Sequence, residues 1–446
     1  MERLKVGFVS LGCPKNAIDC ERMLARVHKA GYEITVEETE ADVVIVNTCA
    51  FIQSAKEEAI EAILDLNYLK EHHNLKGIVV TGCLAQRYYE EILEEMPEVD
   101  SVLSLGGESE IVEAIEAVAA GRRFDRHSAP ETLELEGDRI LTGGEKSAYL
   151  KIAEGCDNRC TYCAIPFIRG AFRSRKMEDI LDEARELYEL GVRELILCAQ
   201  DTTRYGLDLY GEYKLAELLE ALCTAKDFKF TWIRLMYCYP DKITDELNRV
   251  MKTYDCVAKY IDLPIQHASD KVLSAMNRHG GIEVIRSAVS RLREAMPDIV
   301  IRTTAMVGFP GEDEDDYRAL RAFLAEAKFE RVGAFAFSAE EGTPAASFDG
   351  QISEEIKQRR LDNLMEAQYT IHIKCNEKYP GKTLLVLVEG YDPVAGCYSG
   401  RSQYLAPEVD GCVYFSSERR LNPGDFVRVK ITETFDYDLL GEAVFG

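Results

Sequence analysis

Residues 155–163 read Gly155-Cys156-Asp157-Asn158-Arg159-Cys160-Thr161-Tyr162-Cys163, and this stretch decides the fold. The three cysteines have the spacing Cys-x3-Cys-x2-Cys and follow the apolar run 149–153. Three thiolates on one short loop can hold three irons of a 4Fe–4S cluster and leave the fourth iron open, whereas an electron carrier closes its cluster with four cysteines. The loop therefore predicts a cluster with one open iron.

A structural zinc loop is the main alternative for these cysteines. Such a site needs a fourth Cys or His nearby, and none occurs in the dozen residues after Cys163. With 14 Cys in 446 residues, such a triplet is expected by chance at roughly the one-in-a-hundred level. A cluster with one open iron is therefore favoured over a zinc site and over a chance arrangement of cysteines.

Length and composition limit the class of protein. The 446 residues suggest two or three domains. The start of the chain lacks the apolar region of a signal peptide, and no apolar run is long enough to span a bilayer. We therefore expect a cytoplasmic protein without membrane contact, whose cysteines are reduced. The net charge of −25 makes nucleic acid an unfavourable partner and a basic protein a favourable one.

The first part of the chain has strands alternating with helical patterns, which predicts a parallel sheet with both faces covered. The predicted strands are Lys5–Ser10, Asp42–Asn47, Gly77–Thr81 and Val99–Leu103. Cys13, Cys49 and Cys83 follow the first three. Because ligands gather at the carboxyl ends of parallel strands, these cysteines could hold a second cluster with an open iron. Three separately buried cysteines are the alternative.

Residues 122–146 show no clear periodicity and predict a linker. Six further βα units then predict a partial barrel, open on one side. The predicted strands are Tyr149–Ala153, Glu194–Cys198, Thr231–Met236, Tyr260–Leu263, Ile299–Met306 and Val332–Phe337. The cysteine loop follows the first of them, at the carboxyl end where active groups of such barrels lie.

Other candidate residues lie at the ends of these strands or in the basic stretch 173–175. Gln200 either contacts a ligand or belongs to a turn with an N-cap aspartate. Gly308 either lets a cofactor approach the backbone or only serves a turn. Arg175 either pairs with a cofactor carboxylate or lies on the surface. His267 is either a hydrogen-bonded loop residue or catalytic.

After a charged helical stretch, residues 376–446 change to short β-rich runs separated by Gly, Pro and Asp, as in a small β-barrel. This segment has seven Lys or Arg and eleven Asp or Glu, a net charge of −4. Nucleic-acid binding usually needs a positive surplus. The barrel is therefore expected to bind a basic protein.

The order of these three parts resembles the radical-SAM (S-adenosylmethionine) methylthiotransferases along essentially the whole chain. The resemblance implies an α/β protein with an N-terminal domain (1–121), a linker (122–146), a radical-SAM core (147–375) and a TRAM barrel (376–446). It also implies two 4Fe–4S clusters, one on Cys13, Cys49 and Cys83 and one on Cys156, Cys160 and Cys163. By analogy with the superfamily, SAM would bind the second cluster, with Tyr162 at its adenine and Gln200 as a further contact. Arg175 and Gly308 are predicted as SAM contacts from their positions in the sequence alone, and no side chain is assigned as catalytic.

Within the family, the chain is most similar to the branch that methylthiolates the β-carbon of an aspartate in small-subunit ribosomal protein S-twelve. The similar stretches are Leu11–Asn16, Asn47–Ile52, Gln200–Thr203, Pro264–Asp270 and Ala406–Gly411. The tRNA-modifying branch usually carries Gln-Asn where this chain has Gln200-Asp201, and its barrel is usually more basic. Asn47 is a departure, since the branch that modifies S-twelve carries aspartate there.

The resemblance implies sulfur insertion at an unactivated C–H bond by a SAM-derived radical, with an electron from a low-potential donor such as flavodoxin or ferredoxin. Methylthiolation of a tRNA adenosine is the alternative activity, and it would need a basic barrel. A non-enzymatic electron carrier or zinc scaffold is the alternative class, but an electron carrier would close its clusters with four cysteines.

Overall fold

The computed structural model describes residues 4–143 and 146–445. Residues 1–3, 144–145 and 446 belong to the predicted first domain, linker and third domain, and they lie outside the described residues. The described chain forms two parallel sheets followed by a closed barrel. The predicted α/β class with a C-terminal β-barrel is therefore confirmed.

The first sheet is parallel and has the strand order β2-β1-β3-β4-β5. Its strands are β1 (Lys5–Ser10), β2 (Glu33–Thr35), β3 (Val43–Thr48), β4 (Gly77–Gly82) and β5 (Ser101–Val102). The central strands β3 and β4 are buried along their whole length, as their continuous apolar runs predict. The sequence did not indicate β2, because this short edge strand has no apolar run.

Helices cover both faces of this sheet. They are α1 (Pro14–Lys29), α2 (Gln53–His72), α3 (Cys83–Arg87), α4 (Tyr89–Glu95) and α5 (Ile111–Ala119). After the third strand, the helical pattern of the sequence predicts one helix from about Ala85 to Glu95. This prediction is wrong, because the backbone leaves helical geometry at Tyr88 (φ −126°, ψ 42°) and divides the segment into α3 and α4. The linker residues that the structure describes pass along the edge of this domain, where Leu103 pairs with Arg126.

The second sheet is parallel and has the order β13-β12-β11-β10-β9-β6. Its strands are β6 (Ser147–Lys151), β9 (Glu194–Cys198), β10 (Trp232–Leu235), β11 (Val257–Asp262), β12 (Val300–Val307) and β13 (Arg331–Ala336). Two short strands, β7 (Ala153–Glu154) and β8 (Arg173–Ser174), pair beside it. Among the described strands, β6 and β13 do not pair with each other, so the six-stranded barrel is open.

Helices of this second part pack outside the sheet. They are α6 (Ile165–Arg169), α7 (Met177–Glu189), α8 (Leu207–Tyr210), α9 (Leu215–Thr224), α10 (Asp245–Thr253), α11 (Asp270–Ala275), α12 (Gly281–Ala295), α13 (Glu314–Ala327) and α14 (Glu354–Asn376). Along the whole described chain, short 3-10 helices occupy Glu38–Glu40, Leu105–Glu110, Pro130–Thr132, Thr202–Arg204, Pro240–Lys242 and Pro344–Ser347. Helix α6 is the exception, because Ala164 and Ile168 join the core of the first domain. The segment after the cysteine loop thus ties the two sheets together.

The C-terminal barrel closes in the order β14-β15-β16-β18-β17. Its strands are β14 (Thr383–Asp392), β15 (Cys397–Ser402), β16 (Val413–Ser416), β17 (Phe426–Phe435) and β18 (Asp438–Val444). Arg401 joins the barrel to the second sheet through Glu194, with Nη2 2.8 Å from Oε2. Burial raises the pKa of Glu194, but Arg401 and Arg234 outweigh it and lower the pKa to about 2. No described helix is both long and apolar enough to cross a membrane.

Candidate active site

Three cysteines meet at the carboxyl edge of the first sheet. Cys13 precedes α1, Cys49 follows β3 and Cys83 begins α3, and the preceding strands β1, β3 and β4 are neighbours. Gly12 makes room for this group, because its φ is +94° and an added Cβ would lie 2.6 Å from the Cβ of Cys49. The structure therefore brings together the three cysteines that the sequence proposed for one cluster.

Arg169 at the end of α6 supplies positive charge to this first cysteine group. Its Nη2 donates to the sulfur of Cys83 at 3.5 Å and to Oδ1 of Asn16 at 3.1 Å. Burial raises the pKa of the Cys83 thiol to about 12. Burial also raises the pKa of Cys13, but the charges of Lys15 and Arg169 outweigh it and lower the pKa below its usual value. Because the Cys83 thiol is protonated at neutral pH, a metal that binds its sulfur would have to displace this proton, as metals generally do when they bind cysteine.

The second cysteine group is the loop between β7 and α6. Asn277 holds the loop by donating to the carbonyl oxygen of Arg159 at 3.0 Å, and Arg159 has a left-handed φ of 49°. Asn158 donates to Asp201 at the end of β9 at 2.8 Å. The hydroxyl of Tyr239 lies 3.6 Å from the sulfur of Cys160. The loop is thus fixed at the carboxyl end of the second sheet.

Both groups consist of cysteines that form no disulfide in the described chain. Cys49, Cys83, Cys156 and Cys160 are buried. Among residues 4–143 and 146–445, no three Cys, His, Asp or Glu side chains converge tightly enough for a single metal ion. A cubic four-iron cluster is larger than an ion, so its ligand sulfurs stand further apart. Thiols are the ligands that such clusters use, and three of them stand in each group.

A fully buried ion-pair network separates the two cysteine groups. Arg169 Nη1 contacts Asp19 at 3.0 Å and Glu154 at 2.8 Å, and Lys151 contacts the same two carboxylates. Burial raises the pKa of Glu154, but Arg169 and Lys151 outweigh it and hold the pKa well below its usual value. Asp19 belongs to α1 and Lys151 to β6, so the network fixes the first domain on the second.

The sequence analysis did not single out these network residues. The available signal was that Asp19 and Lys151 are charged residues within apolar patterns, where an unpaired charge is unfavourable. Arg169 was hidden because the spacing of the motif gave it no role. Only the fold shows that it contacts Cys83 of the first group and Glu154, two residues before Cys156 of the second.

The four residues proposed as SAM contacts lie in different surroundings. Gln200 lies next to the network, where its Nε2 donates to Glu154 at 2.8 Å, and its buried Oε1 has no partner among the described residues. Tyr162 packs beside the buried cluster of Met276, Met306 and Phe309. These two predicted contacts therefore lie where the second sheet ends.

The local structure itself requires glycine at position 308, because φ is +74° there and a Cβ would lie 2.3 Å from the side chain of Lys357. Arg175 is buried and pairs with two carboxylates. Its Nε contacts Glu136 at 2.8 Å and its Nη1 contacts Glu183 at 2.6 Å. His267 is buried and accepts from the amide of Ser269 at 3.0 Å.

A cavity of about 500 Å³ reaches the first cysteine group from between the domains. Cys13 and Pro14 line it on the first domain, Tyr149 on the second sheet, and Glu408 and Asp410 on the barrel. The cavity provides a route between the acidic barrel and the first cysteine group.

Family models match three segments of the chain: the uncharacterized protein family UPF0004 over residues 5–104, the radical SAM superfamily over 150–324 and the TRAM domain over 381–444. Among solved structures, the fold is similar to a radical SAM methyltransferase, TsrM, from Kitasatospora setae (TM-score 0.59, 15% identity, 77% of each chain). It is also similar to the cobalamin-dependent SAM radical enzyme OxsB (TM-score 0.51, 14% identity, 83% of this chain and 58% of that chain).

Curated relatives match the whole chain. The ribosomal protein uS12 methylthiotransferase RimO of Desulforamulus reducens is 50% identical over 98% of this chain and 99% of its own. The same-named proteins of Pelotomaculum thermopropionicum and Clostridioides difficile are 50% and 46% identical, over 99% of both chains in each case. Together with the fold and the cysteine groups, these matches show that the chain is a radical SAM methylthiotransferase. It belongs to the RimO family.

Proposed function

We propose that this enzyme methylthiolates the β-carbon of an aspartate in ribosomal protein uS12, the small-subunit protein S-twelve. The observation that carries the proposal is the pair of three-cysteine groups joined by Arg169, in a chain that matches uS12 methylthiotransferases along its whole length. The acidic barrel supports a basic protein as substrate over tRNA. The site of action would be the cytoplasm.

Cys13, Cys49 and Cys83 would hold one 4Fe–4S cluster, and Cys156, Cys160 and Cys163 the other, with SAM at the open iron of the second. When bound, these groups supply hydrogen abstraction from an unactivated carbon and a methylated sulfur for that carbon. The electron would come from a low-potential donor such as flavodoxin or ferredoxin. The proposed domains are residues 1–121, 147–375 and 376–446, with a linker at 122–146.

The chain's own contribution is to hold the parts in position. Arg169 and Asn16 fix the surroundings of Cys83, and Asn158 and Asn277 fix the second loop. The buried network prevents one cysteine group from moving relative to the other. Such positioning can account for a large share of a rate acceleration, because reacting groups must lie within contact distance. Gln200, with its unpartnered Oε1, would accept a hydrogen bond from SAM, and Tyr162 would line the adenine site.

The proposal is tested with anaerobically reconstituted enzyme, SAM, sulfide, a strong reductant and purified uS12. Peptide mass spectrometry should show a methylthio group on one aspartate, together with 5′-deoxyadenosine in solution. A reaction with tRNA in place of uS12 is the matched control and should give no methylthio adenosine. Modified tRNA with unmodified uS12 would contradict the proposal.

A further inference from the structure

Lys15 is a buried cation beside the first cysteine group. It lies in the first turn of α1, two residues after Cys13, and is only 7% exposed. Its Nζ lies 3.5 Å from the centre of the Tyr237 ring, which follows β10 of the second sheet. The side chain thus reaches from the first domain to the carboxyl end of the second sheet.

In the described part of the chain, no carboxylate or hydrogen-bond acceptor contacts the Nζ of Lys15. The other buried cations nearby are fully engaged, because Lys151 and Arg169 each contact both Asp19 and Glu154. The charge of Lys15 interacts with Cys13, and the cation–π contact offsets a further part of the cost of burial. Neither contact uses the three N–H donors of the ammonium group, so the arrangement suits a site that receives an oxygen acceptor from a ligand.

We propose that Lys15 binds the side-chain carboxylate of the substrate aspartate and thereby places its β-carbon between the two cysteine groups. This inference rests on the proposed function, which supplies the aspartate. The carboxyl group is bonded directly to the β-carbon, so an ion pair at the carboxylate fixes the position of the reacting atom. The carboxylate would also lose its water on entering, and the ammonium compensates for that loss.

The surroundings of Lys15 support an entry from the barrel side. The cavity of about 500 Å³ is lined by Cys13 and by Tyr149, and Tyr149 packs against the same buried cluster as Tyr237, the ring that Lys15 contacts. Its other wall carries Glu408 and Asp410. A basic protein segment with one aspartate would therefore meet the exposed Glu408 at the barrel and the ammonium of Lys15 beside the cysteine group.

The test compares two substrates, uS12 and uS12 with asparagine in place of the modified aspartate. Asparagine has the same shape but no charge, so the ratio of the two kcat/KM values reports the carboxylate contact. We expect the unaltered enzyme to prefer aspartate by roughly tenfold or more, the usual value of a hydrogen bond to a charged group. Lys15→Met should abolish the preference, and Lys15→Arg should retain part of it.

Lys70→Met is the matched control, because Lys70 pairs with Asp100 at the opposite edge of the same sheet; it should leave the ratio unchanged. Lys15→Met should also keep the melting temperature, since its Nζ forms no ion pair in the described chain. It should keep the iron content too, because Arg169 still lowers the pKa of Cys13 after Lys15 is removed. An unchanged ratio in Lys15→Met would overturn the inference. So would a loss of iron or failure to fold, which would show that Lys15 serves the cluster or the core. No methylthiolation of uS12 by the unaltered enzyme would instead overturn the proposed function, and this assignment with it.

Discussion

Arg169 contacts both halves of the site. Its Nη2 lies 3.5 Å from the sulfur of Cys83 in the first cysteine group, and its Nη1 lies 2.8 Å from Glu154, two residues before Cys156 in the second. The side chain comes from α6, directly after the second cysteine loop. One guanidinium thus couples the two cysteine groups, and its removal should affect both.

Arg169→Met should destabilise the protein by about 3 to 5 kcal/mol, because it leaves the buried carboxylates of Asp19 and Glu154 with one cation fewer. Anaerobic urea denaturation of the cluster-loaded protein measures this change. Arg318→Met is the control, since Arg318 forms exposed pairs with Glu314 and Asp315 and should cost less than about 1 kcal/mol. Equal losses in the two variants would show that the buried network does not stabilise the structure.

Tyr239→Phe should lower the reduction potential of the cluster on the second loop. The hydroxyl lies 3.6 Å from the sulfur of Cys160, and a donor to a ligand sulfur stabilises the more negative reduced state. A redox titration followed by electron paramagnetic resonance measures the shift. Tyr254→Phe, which removes a hydroxyl bonded to Glu220, should leave the potential unchanged. A potential that stays the same or rises in Tyr239→Phe would disprove the contact's role.

His372 should make stability depend on pH. Its ring centre lies 4.4 Å from that of Tyr437 of the barrel, with the two rings tilted by 39°, and its Nε2 accepts from Asn376 at 2.9 Å. Burial, helped by the charge of Arg331, lowers the pKa of His372 from 6.5 to about 4. The unfolded chain therefore takes up a proton below pH 6.5 that the folded chain does not, so acidification destabilises the fold until pH 4, where the effect levels off.

Because of His372, the free energy of unfolding should fall by about 1 kcal/mol from about pH 7.5 to about pH 5.5. Urea denaturation at the two pH values measures it as the difference between the unaltered protein and His372→Gln, which cannot take up the proton. His73→Gln changes an exposed histidine, so its free energy of unfolding should depend on pH as in the unaltered protein. The same dependence in His372→Gln would contradict the assignment.

Much of the fold follows from the sequence, because continuous apolar runs mark buried parallel strands. The predicted strands Lys5–Ser10 and Glu194–Cys198 agree residue for residue with β1 and β9. Rules about strand ends then place both cysteine groups correctly on sheet edges. Within the helices and strands, the patterns miss local details, such as the division of the helix at Tyr88, where no Gly or Pro marks the break.

The contacts between domains could not be predicted, because they join residues far apart in the chain. Asp19 and Arg169 are 150 residues apart, and no local pattern relates them. Arg175 illustrates the opposite problem, because its basic neighbourhood suggested a ligand while the fold gives it Glu136 and Glu183 as partners. Its role toward SAM, like the other SAM contacts and the cluster ligands, stays a prediction.

The division of labour between the two cysteine groups is tested most directly with Cys83→Ala and Cys160→Ala, each assayed with SAM, sulfide, reductant and uS12. Cys223→Ala, which removes a cysteine of α9 outside both groups, is the control and should remain active. Cys160→Ala should form no 5′-deoxyadenosine, whereas Cys83→Ala should still form it but yield no methylthiolated uS12. Methylthiolated uS12 from either variant would contradict the account.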